Sequence, residues 1–302
     1  MTLLAVNNLT KYYGKTLAVN NISFEFESGR CVALIGPNGA GKTTTLQMLA
    51  GLLKPTEGTI QFQQDNKKDD IRSLIGYLPQ FPAFYPWMTG REFLIYSGKL
   101  SKIPASEVEK RADKLLERVG ISEAKNRRIS TYSGGMKQRL GIAQAIIHRP
   151  KLLMLDEPVS ALDPLGRREV LTLMEELKND LTILFSTHIL SDADEVSDEL
   201  LLLHQGEIVE AGPMDELRTK YQTTTIELSF ENNLEAYVAK LEQLSSVVKT
   251  SVDKNIVHVT VDSIEEARQE ILTNALEEKW PLTDFSVNRA SLEDMFMKAV
   301  NG

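Results

Sequence analysis

The chain has 302 residues, 42% of them hydrophobic, which is enough to fill substantial cores and on length suggests about two domains. With 34 basic against 42 acidic residues the net charge is −8, which excludes a global basic field for recruiting nucleic acid or an anionic membrane surface. Its one cysteine, Cys31, cannot form an internal disulfide, which favours a reducing compartment and a core role for the thiol.

In chain order, residues 3–9 alternate apolar and polar side chains, and no basic segment leads into an apolar core, so no signal peptide is expected. Residues 3–9 and 22–26 read as strands separated by Lys11-Tyr12-Tyr13-Gly14-Lys15. Tyr13 offers a ring that can stack on a flat ligand or simply pack beside the glycine turn. Residues 31–35 are an apolar, strand-like run, and 44–50 carry a helical pattern. Between them lies Gly36-Pro37-Asn38-Gly39-Ala40-Gly41-Lys42-Thr43, the GxxxxGK[ST] pattern of a phosphate-binding loop in the strand-to-helix context that pattern requires. Its glycines let successive N–H groups turn inward to phosphate oxygens, assisted by the positive end of the following helix. Lys42 would reach the β- and γ-phosphates, and the Thr43 hydroxyl would ligate Mg²⁺.

Downstream, 59–62 reads as a short strand and 63–70 as a solvated polar loop. Residues 75–80 form a strand ending at Gln80, whose amide can hold a water or a Mg²⁺ ligand, and the aromatic stretch 81–88 follows. The charge-free window 73–90 contains Pro79, Pro82 and Pro86 and does not read as a membrane span. Helical patterns at 91–100, 106–120 and 134–148 mark a helical insert over about 89–149, with Ser106 and Glu109 spaced as a capping box. Ser133 precedes the third helix as a candidate cap, and Gly134 and Gly135 permit close approach of backbone to an anion; a plain helix cap explains the same residues.

The apolar run 152–155 reads as a parallel strand buried on both faces, and it ends in Asp156-Glu157-Pro158. Two carboxylates at that end of a strand lie where open α/β sheets bind ligands: Asp156 to hold Mg²⁺ through a water, Glu157 to deprotonate an attacking water. A further strand, 181–186, brings His188 to the same edge, where it can donate to a γ-phosphate. Residues 199–203 and 207–209 read as a hairpin, and Gly212-Pro213 as the start of a helix to about 221. The tail then reads strand (224–230), helix (233–244), strand (247–252), strand (256–261), helix (264–279), strand (282–288) and helix (292–300). That is βαββαβ with an added helix, a ferredoxin-like order without a catalytic constellation.

Taken together, residues 36–43, Gln80, Tyr132-Ser133-Gly134-Gly135-Met136-Lys137-Gln138, Leu155-Asp156-Glu157-Pro158, Ser160-Ala161-Leu162-Asp163 and His188 resemble, in this order, the nucleotide-binding subunit of ATP-binding cassette (ABC) transporters. The resemblance spans about residues 2–220. It implies an α/β P-loop NTPase cassette over 1–221, with a mixed-sheet core and a helical signature subdomain, followed by the α+β tail at 222–302. It implies a Mg²⁺-dependent ATPase in which Glu157, His188, Gln80 and Lys42 are catalytic and Thr43, Gln80 and Asp156 serve the metal. ATP would be held by an adenine platform at Tyr13, by Gly36, Pro37, Asn38, Gly39, Ala40, Gly41, Lys42, Thr43 and Thr44, and from a facing copy by Ser133, Gly134 and Gly135, with Asp163 in the loop linking the two halves. Partners implied are a second copy of the cassette or a paralogous one, bound head to tail on ATP, and an integral membrane permease at the cytoplasmic face of the cell membrane, with no nucleic acid. Tyr132 and Met136 depart from the leucine and glutamine usual in that signature. These substitutions, with the ending Ser291-Leu292-Glu293-Asp294-Met295-Phe296, look like the bacterial export-type subgroup that includes bacitracin, sodium and drug exporters. The competing reading is a cassette ATPase of translation or DNA maintenance without a transporter. It is disfavoured by a single phosphate loop and the lack of a sustained heptad run.

Overall fold

Cys31–Ile35 (β3), Leu152–Asp156 (β6) and Thr182–Thr187 (β7) are buried at every residue, as parallel strands covered on both faces must be. With Ile75–Leu78 (β5), Glu199–His204 (β8) and Glu207–Pro213 (β9) they form a six-stranded sheet of order β5-β6-β7-β3-β8-β9, parallel except for β9. Its register aligns Ile35 with Thr187, Asp156 with Ser186 and Leu78 with Leu155. The residues just beyond β5, β6, β7 and β3 therefore leave from one carboxyl edge, which brings Gln80, Glu157, His188 and Gly36 together although up to 152 positions separate them.

The computed structural model describes residues 2–62, 71–221, 225–231, 234–287 and 292–301, and its contacts divide the chain into the compact units Met1–Met214 and Asp215–Gly302. In the first unit, Thr2–Tyr13 (β1), Thr16–Glu27 (β2) and Glu57–Phe62 (β4) make an antiparallel sheet of order β2-β1-β4. Helix α1 (Lys42–Leu49) contributes Leu46, Met48 and Leu49 to one core with Leu4, Leu9 and Ile22 of this sheet and Val32, Leu34 and Met154 of the other. Gly90–Leu100 (α2), Ala105–Arg118 (α3) and Gly134–Ile146 (α4) form the insert, and Pro164–Leu177 (α5) and Leu190–Val196 (α6) flank β7. Helix α7 (Met214–Lys220) begins at the division between the units.

The second unit holds Thr225–Phe230 (β10), Leu234–Leu241 (α8), Val247–Asp253 (β11), Ile256–Val261 (β12), Ile264–Glu277 (α9), Leu282–Val287 (β13) and Leu292–Asn301 (α10). Its strand order β11-β12-β10-β13 is that of the ferredoxin-like arrangement. Ile226, Leu228 and Phe230 of β10 and Val257, Val259 and Val261 of β12 pack on Ala267, Ile271 and Ala275 of α9. Strand alternation and helical spacing thus meet on one face.

Several expected boundaries move for local reasons. Strands β1 and β2 run well past 3–9 and 22–26. Asn8 and Asn21 take positive φ (52° and 50°) and are joined by an Asn8 Nδ2 to Asn21 Oδ1 bond of 2.8 Å, so irregularities in the ladder absorb the polar interruption without ending the pair. The expected capping box at Ser106 and Glu109 does not form: α3 starts at Ala105 behind Pro104, whose φ of −55° already suits a helix start, and Ser106 lies inside the first turn. The reciprocal box is at Thr89 and Glu92 of α2. Gly212 and Pro213 finish edge strand β9 rather than begin the helix, a place where proline's missing donor costs nothing. The loop expected at 63–70, the residues 222–224 and 288–291 and the helix start at 233 lie outside the described residues.

Candidate active site

Two glycines show why the phosphate loop has the sequence it has. A Cβ on Gly36 would stand 2.1 Å from the Leu203 carbonyl oxygen, and one on Gly41 (φ 106°) 2.6 Å from that of Ala18. Only a hydrogen fits at either place. Lys42 and Thr43 then emerge in the first turn of α1. The Lys42 ammonium, 4% exposed, donates to the carbonyls of Gly36 (2.8 Å) and Pro37 (3.2 Å) and lies 3.5 Å from Glu157 Oε1. Burial of that cation is offset by the carboxylate and the carbonyls, as a desolvated charge requires.

Asp156 and Glu157 are both buried but bonded differently. Asp156 Oδ1 accepts from Thr43 Oγ1 (3.1 Å) and from Ser186 Oγ (2.7 Å). Glu157 accepts from Gln80 Nε2 (3.2 Å), and its Oε1 is 3.2 Å from His188 Nδ1. Its backbone N–H donates to Ser186 Oγ at 2.9 Å, and its φ is 46°, a left-handed conformation costing an L-residue roughly 1–2 kcal/mol. Two neighbouring carboxylates are thereby aimed apart: one at Thr43, the other at Lys42, Gln80 and His188. The Tyr77 hydroxyl on β5 is buried without a hydrogen-bond partner, and burial, followed by the charge of Asp156, pushes it well above the usual phenol range.

Beside Glu157 opens a cavity of about 600 Å³ lined by Asn38, Gly39, Gly41, Lys42, Thr43, Thr44, Gln80 and His188, together with Ala18, Phe81, Ser160 and Ala161. Among the described residues no three His, Cys, Asp or Glu side chains cluster as a protein metal cage. Mg²⁺ needs no such cage: it takes one or two carboxylates with phosphate oxygens and water, and the Thr43 hydroxyl beside Asp156, with Gln80 nearby, is a fitting donor set.

Not all expected residues gather here. Tyr13, 49% exposed at the end of β1, has the Lys11 ammonium 5.5 Å from its ring centroid and does not line this cavity. Ser133 caps α4 by accepting from Met136 N (3.2 Å). Gly134 and Gly135 abut the start of α5, where added Cβ atoms would meet Leu162 and Gly166 at 3.4 Å. Asp163 caps α5 through Gly166 N at 2.8 Å. None of these four lines the cavity beside Lys42. Tyr132 is held in the insert: its hydroxyl donates to the Ala124 carbonyl (2.7 Å), and Gly90 must be glycine because a Cβ would sit 2.3 Å from that hydroxyl. Sequence reading missed Ser186 and Tyr77. For Ser186 the signal was a polar residue at the end of an apolar run, two before His188; Tyr77 gave none.

A glycine cradle at the carboxyl edge of a parallel sheet, with a buried lysine, a hydroxyl beside one aspartate and a separately held glutamate, defines a phosphate-loop nucleoside triphosphatase. The ABC transporter family profile matches residues 19–160, and that of the ATP-binding protein DrrA1-3-like C-terminal domain matches 212–300. The chain is 46% identical over 299 residues to the uncharacterized ABC transporter ATP-binding protein YxlF of Bacillus subtilis (strain 168), covering 99% of this chain and 100% of that one. It is 35% identical over 308 residues to the bacitracin transport ATP-binding protein BcrA of Enterococcus faecalis, covering 99% and 97%. The dimeric post-hydrolysis structure of the ATP-binding cassette MJ0796 bound to ADP and Pi matches with a TM-score of 0.63 at 26% identity, over 70% of this chain and 99% of that one. The chain belongs to the ATP-binding subunits of ABC transporters, enzymes that bind ATP with Mg²⁺ and hydrolyse it to drive transport. Subunits of this family work as dimers with membrane permeases.

Proposed function

We propose that two copies of this chain, or one copy with a paralogous cassette, close head to tail on two ATP molecules and drive a separate permease in the direction of export. Each site joins Lys42, Thr43, Gln80, Asp156, Glu157 and His188 of one copy to Ser133, Gly134, Gly135 and Asp163 of the other. The observation that carries this is the division just described: the glutamate, lysine and histidine converge beside one cavity, while Ser133, Gly134 and Gly135 at the start of α4 are not among the residues that line it. When bound, Mg²⁺ supplies Lewis-acid polarisation of the phosphates. Lys42 leaves the Gly36 and Pro37 carbonyls for the phosphate charge, and Glu157 accepts the proton of the attacking water while Gln80 and His188 hold its carboxylate in place. Tyr13 serves the adenine from the rim.

The export direction rests on the resemblance and on the name of the bacitracin transport relative. Permease contact fits the aromatic stretch after Gln80: Phe81 is 78%, Trp87 65% and Tyr85 40% exposed, with Tyr85 and Trp87 rings 5.2 Å apart. Docking there holds the subunit at the cytoplasmic face of the membrane; among the described residues no helix is long and apolar enough to cross it. The segment from about 222 to 302, with its own core, is an accessory domain that needs no contact with ATP. Glu157→Gln tests the site: the amide keeps the shape but cannot take the proton, so hydrolysis falls about 10²- to 10⁴-fold while ATP affinity and ATP-dependent dimerisation persist. Hydrolysis at the unmodified rate would remove Glu157 from this role.

A further inference from the structure

The loops bearing Asp163 and His188 are tied together by an ion pair whose carboxylate, Asp192, is buried. Arg167, one turn into α5, donates its backbone N–H to the Asp163 carbonyl at 2.9 Å. Its Nε donates to Asp192 Oδ1 at 2.6 Å, and its Nη2 donates to Ser191 Oγ at 2.9 Å. Ser191 and Asp192 belong to α6, which opens two residues after His188, and Asp192 N–H donates to the Ile189 carbonyl (3.2 Å). Ile189 N–H in turn donates to Thr187 Oγ1 at 3.0 Å. Asp192 is fully buried, and its Oδ2 has no partner. Burial pushes its carboxyl up, Arg167 draws it back, and His188 is among the charges it feels. Arg168 and Glu195 add a second ion pair between the same two helices.

Only the carboxylate of this pair is buried, the Arg167 side chain being 34% exposed, so desolvation of Asp192 offsets much of the attraction; what such a pair fixes well is geometry. We propose that Arg167 and Asp192 are positioning residues that lock the Asp163 loop and the His188 loop into one body, so that the contact His188 already makes with Glu157 within one chain is held in place when the second copy docks against Asp163. The chain of contacts is continuous: Asp163 to Arg167, Arg167 to Asp192, Asp192 through Ile189 to His188, and His188 to Glu157 at 3.2 Å. Without the clasp, α6 is free to shift by a fraction of a turn, enough to spoil a hydrogen bond in a site whose other parts stay in place. This rests on the reading of Glu157 and His188 given above.

The test is a cycle on the full-length chain with Arg167→Met and Arg167→Lys, each alone and combined with His188→Ala. Arg167→Met should lower kcat about 10- to 100-fold with KM and ATP affinity changed less than about threefold, and Arg167→Lys should recover most of the rate. In the His188→Ala background Arg167→Met should cost little further, because the clasp acts through that histidine. If Arg167→Met does not fold, Asp192→Asn takes its place with the same expectations. An unchanged kcat, or an equal fold-loss with and without His188, overturns the proposal. A His188→Ala chain that hydrolyses ATP normally would instead count against the site reading itself.

Discussion

Ser186 is the residue whose removal the geometry makes most informative. It is fully buried; its hydroxyl donates to Asp156 at 2.7 Å and accepts the Glu157 N–H at 2.9 Å. Ser186→Ala leaves a charged carboxylate short of one donor, worth about 1.5–3 kcal/mol, and a buried N–H without an acceptor, worth about 1–3 kcal/mol. The two losses share one atom and are not additive, so about 3 kcal/mol is the reasonable sum. For a cassette of this size that lowers Tm by about 6–12 °C. Glu157 also loses the anchor that offsets its positive φ, so its carboxylate drifts from Lys42 and His188 and hydrolysis falls about tenfold or more. Differential scanning calorimetry and a steady-state phosphate-release assay on the purified chain measure both. A Tm within about 2 °C of the parent, with kcat unchanged, would refute the idea that this hydroxyl holds the two carboxylates apart.

Exposed Phe81 and Trp87 should be replaceable by serine with less than about 1 kcal/mol of lost stability, while co-purification with the permease is lost; retained assembly with normal coupling would place the contact elsewhere. In the second unit, Glu270 accepts from the hydroxyls and backbone N–H groups of Ser245 and Ser246, which hold its carboxyl below the usual carboxylate range, the Ser246 hydroxyl first. Folding thus favours its ionised form, so its contribution is full above the unfolded value near about 4.3 and disappears as pH falls through the folded one. With Trp87→Phe leaving Trp280 as the sole tryptophan, fluorescence-monitored denaturation should show Glu270→Ala destabilising the chain at pH 7 and making no difference well below pH 4. A difference that persists in acid would contradict this.

Much of the cassette was legible because its chemistry is written in contiguous strings. A glycine loop between an apolar strand and a helix and an apolar run ending in two acids fix the sheet edge on which they meet. The ferredoxin-like tail could be read because its strands and helices keep clean periodicities. What escaped were effects that exist only in three dimensions. Ser186 acts through a register match with Asp156, and Tyr132 through a fit against Gly90 and Ala124. Ser106 reads as a cap because local spacing cannot say that the helix already begins at Ala105, behind Pro104, and Gly212-Pro213 reads as a break when in fact it closes an edge strand. Phe84, in the same aromatic stretch 81–88, packs edge-on to Phe93 at 5.2 Å and belongs to the seam of the insert, whereas Phe81 and Trp87 face outward, a division within the stretch that its composition does not reveal.

That each ATP is held by two chains is open to one direct measurement. Lys42→Ala removes the lysine from both sites of a pure dimer, and Ser133→Arg removes the facing serine from both, so each variant alone should be inactive. Mixed in equal amounts, half of the dimers carry one site with Lys42 from one copy and Ser133 from the other, and the ATPase rate should rise to at most about one quarter of the unmodified rate. A mixture no more active than its components, with mixed dimers present by native mass spectrometry, would contradict a site shared between two copies.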